Sequence, residues 1–164
     1  MLGGLLGVIL AKSFKRYFFI INFHTLKLRY MTSDEQLKLK TEYYNEAIRY
    51  MDKAKDVLKN AKKQDDLFQD VKYVKMACGT AYSALLIALD GYFILKGIPK
   101  KKGRKDIVHY QSNLSNIDKK LLDYLNDSYE LLHLWGYYDG IKKVSVVNEG
   151  FNLAYTIIDR LKPN

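Results

Sequence analysis

Proline is almost missing from this chain. Its 164 residues hold two, Pro99 and Pro163. The stretches 1–98 and 100–162 therefore contain no proline break, which favours long helices over many short strands. Val and Ile are modest beside Leu, Ala, Lys, Tyr and Asp, a balance that also leans helical. There is one cysteine, Cys78, so no intramolecular disulfide can form. No Cys/His set has zinc-ligand spacing. A Gly-rich phosphate loop and a nucleophile elbow are both lacking. Hence no metal and no cofactor is expected. A lone thiol fits a reducing compartment, and the expected location is cytoplasmic. Cys78 lies in an apolar run with no neighbouring His or Arg to lower its pKa, so it reads as a small buried hydrophobe rather than a reactive thiol.

The chain is 48% hydrophobic, enough to bury a core, and of a length suited to one domain. Its net charge of +9 comes from 27 Lys and Arg against 18 Asp and Glu. That excess is local. Residues 1–30 carry Lys12, Lys15, Arg16, Lys27 and Arg29 and no acid. A second basic run, Lys96, Lys100, Lys101, Lys102, Arg104 and Lys105, is again free of acids. The rest is close to neutral, so a whole-surface polyanion binder is not indicated.

Residues 1–30 contain two apolar runs, MLGGLLGVILA and YFFIINF, separated by KSFKR. No basic region precedes the first run and no small-x-small cleavage site follows, which is a poor secretory signal. Neither run reaches the ~20 residues that span a bilayer. Met31 is followed by Thr32 and Glu35 at capping-box spacing, and a clean helical pattern starts there. Residues 1–30 are accordingly read as an extension upstream of the domain, from a misassigned start, and 31–164 as the domain. A basic, aromatic membrane-surface or targeting segment and a structured part of the fold are the other readings of 1–30, and membrane contact is not the favoured one.

Periodicity then predicts the elements. Tyr44, Ala47, Met51, Ala54, Leu58 and Ala61 mark one face of a first helix over 33–63, closed by a turn at Gln64-Asp65-Asp66. A second helix covers 67–96, with Gly97 as its stop and Pro99 beyond. Its stretch 76–95 has a single charge, Asp90, and is apolar nearly all round. That suits the centre of a bundle, or a membrane span by length; the bundle reading is preferred. Asp90 then needs a buried partner. A basic loop follows, then a short helix over 107–114. A fourth helix over 118–136 has the face Ile117, Leu121, Tyr124, Ser128, Leu132 and Trp135. A fifth over 144–161 repeats Val144, Val147, Phe151, Ala154, Ile158 and Leu161 at bundle register. The fold class is all-α, an up-and-down bundle of four to five helices.

Two places can carry chemistry. Arg104 and His109 are an arginine and a histidine separated by four residues. A near-neutral histidine can exchange protons with a ribose 2′-hydroxyl or a leaving oxygen. An arginine can hold a phosphate bidentately, and Lys100, Lys101, Lys102 and Lys105 would draw in the backbone. The bland reading is a solvated basic loop. The second place is YELLHLWGYYDG, 129–140, where His133, Tyr137, Tyr138 and Asp139 line either a pocket or a dimer seam. The bland reading there is a helix stop shaped by Gly136 and Gly140.

Taken in order, these segments resemble the HEPN superfamily of helical bundles. ACGTAYSALLIALDGYFILKGIPKK, 77–101, is similar to the second HEPN helix, with its alanine- and tyrosine-rich start and Gly-Ile-Pro-Lys exit. His109 stands like the family's pre-helix histidine. YELLHLWGYYDG sits where many members have Tyr, Arg and an Asp-Tyr pair, and EGFNLAYTIIDRL, 149–161, closes the pattern. The likeness covers about 35–161 and is nearest in detail to a bacterial subgroup known only as a domain of unknown function. It implies a four- to five-helix bundle, often dimeric. Members include RNase toxins, nucleotide-binding modules and partners of small nucleotidyltransferases. In catalytic members the signature is an Arg, four to six residues, and a His, and the pair sits beside the last long helices. Here it follows the second helix, and His133 stands near where members carry arginine. The expected function is thus a non-catalytic binding and dimerisation module for a nucleotide, RNA or protein partner. A toxin-type, metal-independent endoribonuclease is the alternative, with His109 as acid/base, Arg104 on phosphate and Tyr110 orienting. A homodimer and a nucleotidyltransferase or antitoxin partner are the implied assemblies.

Overall fold

The computed structural model describes residues 31–163, with Lys102, Arg104 and Lys105 excepted. The readings made of 1–30 fall outside the described residues. Within these bounds the chain is all-α, with five α-helices and one two-stranded hairpin.

Helix α1, Ser33–Lys59, starts as its sequence dictates. The Glu35 amide donates to Thr32 Oγ1 at 3.2 Å, and the Thr32 amide donates to Glu35 Oε2 at 2.8 Å. This is the reciprocal capping box, satisfying two of the amides that a helix start leaves open. Its inner face buries Ala47, Met51 and Ala54. The helix stops four residues earlier than periodicity predicts. Lys62 and Asp65 take left-handed backbone angles, φ 47° and 55°. The chain instead forms the hairpin β1, Lys63–Gln64, with β2, Leu67–Phe68. The Ala61 carbonyl accepts from the Gln69 and Asp70 amides, each at 3.0 Å. Phe68 is driven fully into the core.

Helix α2, Val71–Leu95, is capped by Asp70 and is the central element. It packs against α1, the helix Val144–Ile158 and the segment Tyr129–Asp139. It is long and apolar enough to cross a membrane, yet 56% of its most apolar window is buried inside the bundle. Gly97, at φ 82°, ends it in a Schellman motif. The Ile98 amide reaches the Phe93 carbonyl at 2.8 Å, and the Gly97 amide reaches that of Ile94 at 3.0 Å. Cys78 is fully buried, and burial pushes its thiol up to about 12.

Helix α3, Ile107–Ile117, begins at Asp106, which accepts the His109 amide at 2.8 Å. Asp118 both ends α3 and caps α4, Lys119–Ser128. The predicted fourth helix then departs from plan. Tyr129–Asp139 winds as a π-helix, ending at left-handed Gly140. Its i→i+5 hydrogen bonds place more than four residues in each turn. The core position after Leu132 therefore falls on Gly136, and Trp135, expected on the buried face, is 38% exposed. Gly136 is required there: a Cβ would lie 2.6 Å from both Cβ and Sγ of Cys78. Helix α5, Val144–Ile158, runs into a 3-10 turn, Asp159–Leu161. Val147, Phe151, Ala154, Ile158 and Leu161 are buried as their spacing predicts.

Candidate functional site

The two places suggested by the sequence lie apart, one toward each end of α2. Gly79 and Asp90 mark them, and eleven residues at about 1.5 Å each put them roughly 16 Å apart along the helix axis.

The first region surrounds Asp90. This carboxylate is 2% exposed. The Tyr110 hydroxyl, itself fully buried, donates to Asp90 Oδ1 at 2.8 Å. Lys100 Nζ stands 3.9 Å from Oδ2. Tyr110 is thus turned inward, onto Asp90, rather than toward a reacting group. Burial, then the bond to Asp90, pushes its phenol well above the ordinary tyrosine range. A cleft of about 260 Å³ opens beside Asp90, lined by Glu42, Tyr43, Glu46, Ile87 and Lys100. His109 lies in the first turn of α3. Its ring meets Phe93 edge-on at 5.9 Å and Tyr110 edge-on at 5.3 Å. Asn113 Nδ2 lies 3.4 Å from the His109 Nδ1 and donates to the His109 carbonyl at 2.7 Å. Desolvation, with Lys101 nearby, lowers the His109 pKa, and Asp90 opposes this. The neutral imidazole is favoured as a result. Lys101 is occupied by an ion pair with Asp106. Arg104, Lys102 and Lys105 lie outside the described residues.

The second region is aromatic. Tyr129, His133 and Tyr137 recur every four residues, close to one turn, and so stand nearly in one row. Tyr129 and His133 stack at 5.1 Å and 26°, and His133 and Tyr137 at 5.7 Å and 18°. Tyr82 from α2 backs the row, 4.7 Å from His133. Tyr138 meets both His133 and Tyr137 edge-on. Lys75 Nζ donates to the Tyr138 carbonyl at 2.7 Å and ties the segment to α2. Desolvation lowers the His133 pKa and keeps its ring neutral. Tyr137 is 45% and Tyr138 59% exposed, and Met76 beside them 47%. Asp139 is exposed at the end of the segment. A cleft of about 440 Å³ opens here, lined by Tyr50, Met76, Gly79, Thr80, Ser83 and Tyr137, with Tyr82 and His133 behind.

Sequence reasoning found His133, Tyr137 and Tyr138 together, and the structure places them together. It missed Tyr50, Met76, Gly79 and Tyr82. One signal was present: Gly79, Thr80 and Ser83 are small residues at helical spacing, the mark of a face that something approaches closely. The partner of Asp90 was anticipated as a need but not as Tyr110.

A protein of unknown function from Dyadobacter fermentans has a similar solved structure, with a TM-score of 0.66 and 45% sequence identity. The match covers 74% of this chain and 94% of that one. No curated protein matches the chain. The family model described as domain of unknown function DUF5618 matches residues 42–163, and the chain belongs to that family.

Proposed function

We propose that this chain is a non-catalytic, dimerising binding module of HEPN type, for a nucleotide, RNA or protein partner. The observation that carries the reading is the aromatic face of α2 and the π-helix. Met76 and Tyr137 stand substantially exposed around a cleft, with exposed Tyr138 against Tyr137, a cost to a folded monomer that a ligand or partner removes. The placement of His109 supports the non-catalytic half. Its ring packs against Phe93 and Tyr110, and its amide caps α3 through Asp106. Those are the contacts of a packing histidine. Sedimentation velocity of the full chain, with RNA and nucleotide titrations in EDTA, tests the reading. A dimer that binds without turnover agrees with it. RNA binding should weaken with salt. Salt-independent binding to a protein alone rules out the RNA version and leaves a nucleotidyltransferase or antitoxin as the partner class.

The second reading is the metal-independent endoribonuclease using Arg104 and His109. What favours it is the neutral state of His109, held by desolvation, which is the form a general base needs. Cleavage in EDTA that disappears in both His109→Ala and Arg104→Ala would establish it. Loss of membrane association on deleting residues 1–30 would favour the membrane-surface reading instead.

A further inference from the structure

Building on the binding-module reading, we propose that the cleft between α1, α2 and the π-helix is a stacking site for a nucleobase carrying phosphate, with Tyr137 and His133 as its ring platform. Three features of the cleft point to a flat, uncharged ring. In the row Tyr129, His133, Tyr137 each ring lies within 26° of its neighbour's plane, so the exposed Tyr137 ends an ordered row of rings rather than a disordered aromatic patch. The floor is made of small residues. A Cβ on Gly79 would come within 2.9 Å of the Tyr137 ring, so that ring lies directly on the α2 backbone. The lining is without charge: Tyr50, Met76, Gly79, Thr80, Ser83 and Tyr137. A base can enter such a site without stripping water from an ion.

The polar groups suit the edge of a base. Thr80 Oγ1 donates to the Met76 carbonyl at 2.8 Å, and Ser83 Oγ donates to the Gly79 carbonyl at 2.9 Å. With their protons committed to the helix, both oxygens keep lone pairs free to accept from ring N–H or exocyclic amino groups. The cleft's size, about 440 Å³, lies within the range of small-molecule sites. Two cations neighbour lining residues in the chain, Arg49 before Tyr50 and Lys75 before Met76. The Arg49 guanidinium lies 5.2 Å over the Tyr50 ring, and Lys75 holds the Tyr138 carbonyl next to Tyr137. Arg49 is bridged to Glu46 and Lys75 to the Tyr138 carbonyl, so either cation would exchange that contact to meet a phosphate. Base stacking is sequence-tolerant because every base offers a π face, so the site selects a nucleobase and not a particular sequence.

The test titrates the full chain in EDTA with AMP, ribose 5-phosphate and a short single-stranded oligoribonucleotide. Tyr137→Ala and Tyr137→Phe are run alongside, with circular dichroism to verify folding. Saturable binding of AMP or the oligonucleotide is expected, with ribose 5-phosphate weaker. Tyr137→Ala should lose about tenfold or more in affinity and Tyr137→Phe little, since stacking needs the ring and not the hydroxyl. AMP binding as tight as the oligonucleotide's identifies a free nucleotide as the source; preference for the oligonucleotide identifies the end of a strand. Equal binding of ribose 5-phosphate and AMP overturns the proposal, because phosphate alone is then recognised. Oligonucleotide binding untouched by Tyr137→Ala overturns the site while the binding-module reading stands. No binding of any probe, with Tyr137→Ala converting a dimer to a monomer, overturns it in favour of a second copy in the cleft. Cleavage of the oligonucleotide overturns the non-catalytic reading and not the stacking site.

Discussion

Changing Tyr110 to Phe removes one oxygen and keeps the ring. Both members of the Tyr110–Asp90 bond are buried, Tyr110 completely and Asp90 to 2% exposure, and the oxygens are 2.8 Å apart. The ring itself stays in place, stacked 5.7 Å from Phe93. The lost quantity is therefore the hydrogen bond to the carboxylate, with little cavity left behind. Bonds to charged groups contribute about 1.5–3 kcal/mol, so Tyr110→Phe should destabilise the domain by about 2 kcal/mol. For a domain of this size that corresponds to roughly 6–10 °C in Tm. Lys100, at 3.9 Å and half exposed, does not replace the lost donor. Urea and thermal unfolding followed by circular dichroism measure the cost. Adding Asp90→Asn closes a double-mutant cycle, which should return a coupling of at least about 1 kcal/mol between the two positions. A Tyr110→Phe cost below about 0.5 kcal/mol, the level of a neutral surface change, would refute the claim that this bond anchors α3 to α2.

Three further outcomes follow from the packing and the titrating groups. Gly136→Ala puts a methyl 2.6 Å from Cys78 in the core, and should destabilise by about 1–3 kcal/mol in urea melts, as overpacking does. Ser128 Oγ is buried and has no hydrogen-bond partner among the described residues. Ser128→Ala should hold or raise stability, by up to about 1 kcal/mol, in the same assay. His109 and His133 both have folded pKa values lowered, chiefly by desolvation. As pH falls below about 6.5, the ordinary histidine value, the unfolded chain binds more protons than the folded one, so stability drops with acid. The slope of Tm against pH between neutrality and pH 5 should flatten in a His109→Phe, His133→Phe double variant.

The helices were legible because their signals are local. Thr32 and Glu35 announce α1, Gly97 and Pro99 announce the end of α2, and the 3-4-3-4-3 spacing in α5 needs no distant partner to be read. The π-helix was not legible. Tyr129, His133 and Tyr137 fit an α-helix as well as a π-helix. The choice depends on Gly136 meeting Cys78, a contact between residues far apart in the chain. The hairpin after α1 escaped notice for a similar reason. Its outer strand is held by the Phe68 amide donating to the Lys142 carbonyl at 2.8 Å, which no local pattern announces. The residues of the proposed site divide the same way. His133, Tyr137 and Tyr138 cluster in sequence and were found. Tyr50 joins them only through the packing of α1 on α2, and Tyr82 only through the packing of α2 on the π-helix. The Arg104–His109 pair was read from spacing alone, and the surroundings of His109 are those of a packed ring.

The most direct test of the central claim is a single-turnover RNA incubation in EDTA with the full chain, followed on a gel while sedimentation tracks the complex. The account predicts intact RNA in a complex that weakens with salt, or intact RNA beside a nucleotide-bound dimer. RNA fragments that accumulate with the parent chain, and vanish with His109→Ala and Arg104→Ala, would contradict it.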